Sequence, residues 1–568
     1  MLKRRKTLLA SALLSILLGT GFFLNATEEN GQQDEPAVEQ IDTHDKAELE
    51  KEKISAEELI ASDEEVTVTK LTEGYKNGDF QVREVVEVYL ERIDKYEDTY
   101  NAFTFLNENA MEQAKEIDQL YDSGKTPGRL AGVPIAIKEA VDVVGFPSTF
   151  GWKGFSKEAG GIEIIPQIDA PIVEKLKDDG AIILGKTNIP AFSSSGTRAS
   201  TSWDGETLNA IAPAFVPGGS SSGTATSVSG NLAVLGIAEE TGGSIQNPAA
   251  AQSIVGVKPT FGLVPNTGAT PLAANTRDVL GPHARTIKDA AIMLDVIAGY
   301  HPDDPKTEAA KDNLPNRGYT EDLNDSYLEE KRIGLYGPGW HGGELSKETR
   351  ELYNRAVQEL EEQGAIVVKD PFADSGLRSL VDSTGSIGYR ALVSDFHSYI
   401  ERMDQTGTIP SAAELFRQVD VVPWAEGGPL HHFYNRGVNF AQDIQNPASA
   451  PDLNYFFNTR EKYLEIMDQV MEKHNLDAFA FPQMEQEIPK KDENRIYQPT
   501  TSPEINISGQ PLVTIPAGYY ESGAPFSLAF FGDMWSEAEL LGMAYDYEQA
   551  THYREAPDLE SRELQENG

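Results

Sequence analysis

Hydrophobic and polar positions along this chain alternate in two periods. Residues 80–98 (FQVREVVEVYLERIDKYED) carry the spacing of an amphipathic helix. Residues 169–179 predict a second helix, ended by Gly180 and followed by the strand Ala181–Leu184. In residues 349–363, Leu352, Ala356, Val357 and Leu360 share one helical face. Gly364 closes that helix, and the strand Ala365–Val368 follows. Leu232–Ile237 reads as a further apolar strand. Near the C-terminus, Ser536 and Glu539 have the spacing of a capping box before Leu540, Leu541 and Ala544. Repeated helix–Gly–strand punctuation predicts an α/β protein whose sheet is covered by helices. No internal repeat and no Pro/Gly/Ser linker divides the chain, which argues for one large domain. Residues 370–475 are less regular and read as an insertion or lid.

The ends of the chain differ from this pattern. Lys3, Arg4, Arg5 and Lys6 precede the uncharged residues 7–24, and Ala26, with Leu24 two before it, fits a cleavage site. Residues 1–26 therefore read as an export signal. An uncleaved anchor is the alternative, because the 18 apolar residues approach the length that spans a bilayer. Either way the protein is expected outside the cytoplasm, secreted or held at the cell surface, with membrane contact only through this segment. Residues 27–66 hold 15 acids and 3 bases and read as an acidic linker. Residues 67–555 are expected to form the domain, and 556–568 a polar tail.

Composition narrows the chemistry. The 568 residues contain no Cys, which excludes disulfide scaffolds, thiol nucleophiles and Cys-ligated metals. Ninety acids against 48 bases give a net charge of −42, so nucleic acid is not an expected partner. The first 26 residues hold +4 and residues 27–66 hold −12, leaving −34 on residues 67–568. Such a surface suggests a saline or alkaline setting.

Two local motifs fail on context. Residues 180–187 (GAIILGKT) match the phosphate-loop pattern, but Ala-Ile-Ile-Leu between the glycines is a buried strand and a helix precedes Gly180. Residues 219–223 (GSSSG) match a nucleophile elbow on Ser221, but Ala212–Pro217 contains two prolines and makes a poor preceding strand. The adjacent His431 and His432 lack zinc-site spacing.

Residues 205–265 stand apart. Gly and Ser crowd into Gly218–Gly223 and Thr241–Ser244, the second just after the strand Leu232–Ile237. Glycines beside a serine at a strand end allow N–H groups to converge on one point, as an oxyanion hole requires. Composition alone favours a Gly/Ser-rich turn without chemistry.

This region resembles the amidase-signature hydrolases. PGGSSSG at 217–223, ETGGSI at 240–245 and GVKPTFG at 256–262 follow that family's order. GVPIAIKEA at 132–140, GKTNIPAF at 185–192, DVLGPHARTIKDAA at 278–291, HPDDP at 301–305 and NISGQPLVTIPAG at 506–518 extend the likeness, as does the final helix near Glu548. Together they cover about residues 67–550, most weakly at 370–475. The resemblance implies a single large amidase-signature domain with a central mixed β-sheet covered by helices on both faces. It implies a Ser–Ser–Lys triad: Ser244 as nucleophile, Ser220 as the bridging serine after a cis peptide, and Lys138 as base. It implies an oxyanion hole from the N–H groups of Thr241, Gly242, Gly243 and Ser244, and no metal or cofactor. A lysine acts as base only when neutral, and burial in an apolar run such as Val133, Ile135, Ala136 and Ile137 suits that role.

The chain departs from the family pattern at Glu240 and Gln246, where Asp and Arg are usual, and at Ala210 and Thr224, where Pro and Gly are usual. If the usual Asp–Arg pair is ionic, support near the nucleophile must be rebuilt here. Trp424, Phe433, Tyr434, Phe440, Tyr455, Phe456 and Phe457 read as either ordinary core or an apolar substrate wall. The expected function is a secreted amidase acting on a small-molecule or peptide amide through an acyl-serine. The alternatives are a secreted α/β-hydrolase esterase using Ser221 and an inactive amidase-like binding protein. The sequence does not fix the oligomeric state.

Overall fold

A computed structural model describes residues 54–61, 65–125, 128–340, 343–404, 406–419, 421–501 and 503–560. The export segment, most of the acidic linker and the last eight residues lie outside the described residues.

Eleven strands form one mixed sheet: β1 (Phe103–Leu106), β2 (Pro134–Lys138), β3 (Ile182–Thr187), β4 (Leu235–Glu240), β5 (Val255–Lys258), β6 (Val279–Ala284), β7 (Arg332–Leu335), β8 (Ile366–Lys369), β9 (Ala478–Pro482), β10 (Leu512–Tyr519) and β11 (Pro525–Phe531). Their spatial order is β1-β3-β2-β4-β6-β5-β10-β11-β9-β7-β8. β3, β2 and β4 run parallel, as do β9, β7 and β8, while β4, β6, β5, β10, β11 and β9 pair antiparallel in turn. β2, β3, β4, β6 and β11 are buried at every position, so both faces of the central sheet are covered. The expected α/β architecture is therefore the one observed. β8, at the edge, exposes Ile366 and Lys369, and a lysine on an edge strand discourages further pairing.

The predicted helices form as Val82–Tyr100, Pro171–Asp178 and Lys347–Glu362. GAIILGKT is confirmed as strand rather than phosphate loop, since β3 occupies Ile182–Thr187. The helix Ser222–Ser229 packs against β2 and β4. It is buried on every side, and its small residues allow that. Gly236 of β4 makes the approach possible: a Cβ there would stand 2.4 Å from Thr224 Cγ2.

Four expectations need correction. The end of the proposed linker is folded: Ala56–Ala61 is a helix with Ala56, Leu59 and Ile60 buried. Glu65 pairs with Arg285 at 2.7 Å and Arg554 at 2.8 Å, and Val66 is in the core. Acid content averaged over forty residues concealed this short apolar segment. The proposed tail is likewise anchored, by buried Leu559 and by Glu560, which accepts hydrogen bonds from Lys95 and Tyr96. The capping box does not form. Ser536 Oγ donates to Asp533 O at 2.8 Å, and the helix Glu537–Thr551 begins without a side-chain cap. Residues 370–475 do form the expected insertion, between β8 and β9, but about half of it is regular, in the helices Leu377–Thr384, Leu392–Met403, Ala412–Gln418, Phe440–Asp443 and Asn454–His474. The aromatic run divides. Phe433, Phe440 and Phe456 are buried and Trp424 packs against the cluster that holds Phe433 and Phe440, whereas Tyr434, Tyr455 and Phe457 are exposed.

Candidate active site

The parallel strands β2 and β4 are neighbours, with Ile137 opposite Ile237. Their C-terminal ends therefore bring Lys138 and Glu239 together. In open α/β sheets, the carboxyl ends of strands are where ligands bind. Lys138 Nζ donates to Ser220 Oγ at 2.7 Å and to the Glu239 carbonyl at 3.0 Å. The Glu239 carboxylate also lies 2.9 Å from Nζ, in ion-pair contact off the hydrogen-bond axis. All three residues are sealed from solvent. The peptide bond between Gly219 and Ser220 is cis.

Ser221 faces elsewhere. Its Oγ donates to the Glu239 carbonyl at 3.2 Å and accepts from the Glu239 N–H at 3.3 Å, and no strand precedes it. Buried and occupied, with no strand to raise it, Ser221 does not have the setting of a nucleophile elbow.

β4 ends at Glu240, and Thr241–Ser244 turn the chain toward the helix Gln246–Ala251. Gly243 has φ +106, and a Cβ there would lie 2.8 Å from Asn247 Nδ2. Only glycine satisfies both the backbone angle and the contact. Ser244 is 8% exposed, and Gly242 opens to solvent. Among the described residues, Ser244 Oγ has no hydrogen-bond partner. No loop or turn hydrogen bond engages the N–H of Gly242, Gly243 or Ser244. A hydroxyl and several N–H donors thus stand unengaged on one turn.

The loop is anchored from below. Thr241 Oγ1 donates to Asp278 Oδ1 at 2.6 Å, and Asp278 Oδ2 accepts from the N–H groups of Leu272 and Ala273, each at 2.9 Å. Burial, with the Glu239 charge second, pushes Asp278 up to about 7. Glu240 binds the far side of the loop. Its Oε2 accepts from Ile245 N at 2.8 Å and Gln246 N at 3.1 Å. Its Oε1 accepts from Gln246 Nε2 at 2.5 Å and Asn506 Nδ2 at 2.9 Å. Gln246 Oε1 in turn accepts from Gln483 Nε2 at 3.2 Å. The neutral amide of Gln246 therefore stands where the family pattern has an arginine, and with Asn506 it supports Glu240 through hydrogen bonds.

Of the sequence-predicted residues, the structure joins Lys138 directly to Ser220 and sets Thr241, Gly242, Gly243 and Ser244 on one turn beyond Glu239. Glu239, Asp278, Asn506 and Gln483 escaped the sequence reading. Glu239 adjoins Glu240 in ETGGSI's lead-in, but only the β2–β4 register reveals its partner. Among the described residues, no three His, Asp or Glu side chains gather in a metal-binding arrangement.

Known proteins resemble this chain over most of its length. The family model described as Amidase matches residues 84–541. A glutamyl-tRNA(Gln) amidotransferase subunit of Alkaliphilus metalliredigens (strain QYMF) is 29% identical over 506 residues, spanning 86% of this chain and 96% of the relative. A probable amidase of Arabidopsis thaliana is 27% identical over 513 residues, spanning 87% and 91%. Among solved structures, the native peptide amidase from Stenotrophomonas maltophilia superposes with a TM-score of 0.70 at 29% identity, covering 87% of this chain and 99% of that one. This chain belongs to the amidase family, the amidase-signature hydrolases of amide C–N bonds.

Proposed function

We propose that this amidase hydrolyses a carboxamide bond of a small molecule or peptide amide, outside the cytoplasm, through an acyl-Ser244 intermediate. The observation that carries the reading is the 2.7 Å hydrogen bond from Lys138 Nζ to Ser220 Oγ, at the end of the β2–β4 pair whose β4 leads into the turn bearing the unengaged Ser244 hydroxyl. A serine hydroxyl becomes nucleophilic when a base can take its proton. Ser244 Oγ attacks the amide carbon. Its proton passes to Ser220 Oγ as the Ser220 proton passes to neutral Lys138 Nζ. The carbonyl oxygen becomes an oxyanion facing the N–H groups of Thr241, Gly242, Gly243 and Ser244. The C–N bond breaks as the leaving nitrogen takes a proton back along the same path. Water then repeats the sequence on the acyl-enzyme and releases the acid.

Glu239 is a positioning residue: its carbonyl and carboxylate hold Nζ on Ser220. The peptide amidase among the structural relatives supports a peptide amide or small amide as substrate. The net charge of −42 counts against an RNA-bound one. Export rests on the N-terminal sequence. The test is ammonia release across a panel of amides, with mass mapping of a serine-reactive probe. Ser244→Ala and Lys138→Ala should each lower turnover at least about 1,000-fold, and the probe should label Ser244 rather than Ser221. A fully active Ser244→Ala enzyme would overturn the assignment.

A further inference from the structure

Arg277 stands over the candidate oxyanion loop. Its Nη2 lies 3.3 Å from where a Cβ of Gly242 would be, and Tyr389 OH lies 3.7 Å from the same point. The residue is 2% exposed. Its Nη1 donates to Ile387 O at 2.9 Å and Ser386 Oγ at 3.4 Å, while Nε is buried without a partner. Nη2 has no hydrogen-bond partner among the described residues and is not among the sealed atoms. It is the one nitrogen of this guanidinium left for something that enters beside Gly242.

Among the described residues, no carboxylate pairs with this guanidinium. Arg277 and Arg436 both lie against the Tyr389 ring, at 5.0 and 4.9 Å from its centre. Arg460, whose Nε donates to Ile507 O at 2.7 Å, is close enough to Arg277 that the two charges oppose each other. None of the three forms an ion pair among the described residues. Asp278, next in sequence, is turned to Thr241, Leu272 and Ala273. A buried guanidinium without a carboxylate is costly, and aromatic faces and carbonyls offset only part of that cost. In a chain with 90 acids and 48 bases, a buried arginine left unpaired against Gly242, with Arg436 on the same Tyr389 ring and Arg460 near enough to oppose its charge, describes a site for an anion.

We propose that Arg277 is a specificity-determining residue that binds a carboxylate on the substrate, so that the preferred substrates are amides carrying an anionic group close to the scissile carbonyl. This deepens the amidase reading and rests on it. The spacing bounds the linker. Consecutive Cα atoms are about 3.8 Å apart, so the Gly242 Cα lies at most about 7.6 Å from that of Ser244. A spacer of about two to four carbons between amide and carboxylate covers such a reach. Monoamides of short dicarboxylic acids have this shape.

The experiment compares kcat/KM for monoamides of butanedioic and pentanedioic acids with kcat/KM for the matched uncharged amides, in wild type, Arg277→Gln and Arg277→Lys. Calorimetric binding of glutarate to each protein in the Ser244→Ala background accompanies the kinetics, and circular dichroism checks folding. Wild type should prefer the anionic amides by at least about tenfold. Arg277→Gln should cut that preference about 100-fold, mainly through KM, and Arg277→Lys should restore part of it. A preference for uncharged amides in wild type, or a ratio unchanged in Arg277→Gln, overturns the proposal while leaving amide hydrolysis intact. If no amide is hydrolysed, the amidase mechanism fails. Glutarate binding that depends on Arg277 then upholds the anion site, and its absence removes it.

Discussion

Glu240 shows how one side chain can replace another pair's work. Its carboxylate collects two backbone and two side-chain hydrogen bonds within the turn that carries Ser244. Hydrogen bonds to a charged acceptor contribute about 1.5–3 kcal/mol each. Gln246→Ala removes one such donor and leaves Oε1 with Asn506 alone. Denaturant titration should show a loss of about 2 kcal/mol. An unchanged midpoint would mean that the network is not supporting the turn. Glu239 is a harder case. The Glu239 carboxylate forms an ion pair only with protonated Lys138, the resting form distinct from the neutral form that takes the Ser220 proton. In that resting form, removing one partner leaves the other charge uncompensated, at a cost of about 3–5 kcal/mol. Glu239→Gln should therefore destabilise the protein by roughly that amount and slow turnover, because Nζ then keeps only its bonds to Ser220 and one carbonyl. Wild-type stability in this variant would show that the pair contributes little. Lys138, Ser220 and Ser244 were legible because each sits inside a spelled motif. Glu239 was not, since its partner lies about a hundred residues away across a strand pair.

At the scale of elements, the decisive unit is β4, its exit turn and the helix Gln246–Ala251. Gly243 holds φ +106 with Asn247 pressed against it. Gly243→Ala should cost about 1–3 kcal/mol in strain. Because the turn aims the Ser244 hydroxyl, kcat/KM should fall about 100-fold as well, as a displacement of about 1 Å can do. A variant that loses stability but keeps its rate would detach the turn from the chemistry. The helices that sequence revealed are those with a wet face, and the buried strands it revealed, β3 and β4, are short apolar runs beside Gly-rich punctuation. Val82–Tyr100 and Lys347–Glu362 show a helical period because one side meets water. Buried strands β10 and β11 show none, since every position is apolar or sheltered, and their place between β5 and β9 depends on pairings remote in sequence. The helix Ala56–Ala61 was hidden for the opposite reason: its few apolar residues sit in an acidic stretch whose average outweighed them.

At the scale of the whole molecule, charge and burial act together on pH dependence. Burial raises Asp142, Asp289 and Asp395 to about 6, Asp278 to about 7 and Glu548 to about 8. Each of these groups binds more protons in the native chain than in the unfolded one between its ordinary value and its raised value. Stability is therefore fullest at lower pH and is lost as pH rises through the raised value. Two cation types run the other way in other windows. His283 and His432, lowered by burial to about 4, add stability only as pH climbs from about 4 to 6.5. Lys175 and Lys258, lowered to about 8, add it only from about 8 upward. Between about pH 6.5 and 8 neither these histidines nor these two lysines oppose the carboxyls, and Asp278 and Glu548 dominate. One pH unit of such linkage is about 1.4 kcal/mol per group, so the denaturant-derived stability should fall by about 1–3 kcal/mol across this interval. Self-repulsion among the charges of residues 67–568, net −34, adds in the same direction. Salt separates the two contributions. Molar NaCl screens the surface charges and should raise stability at both pH values, while the drop between them persists because buried groups are screened far less. A profile flat or rising from about pH 6.5 to 8 would contradict the linkage, and a drop abolished by salt would assign it to the surface alone.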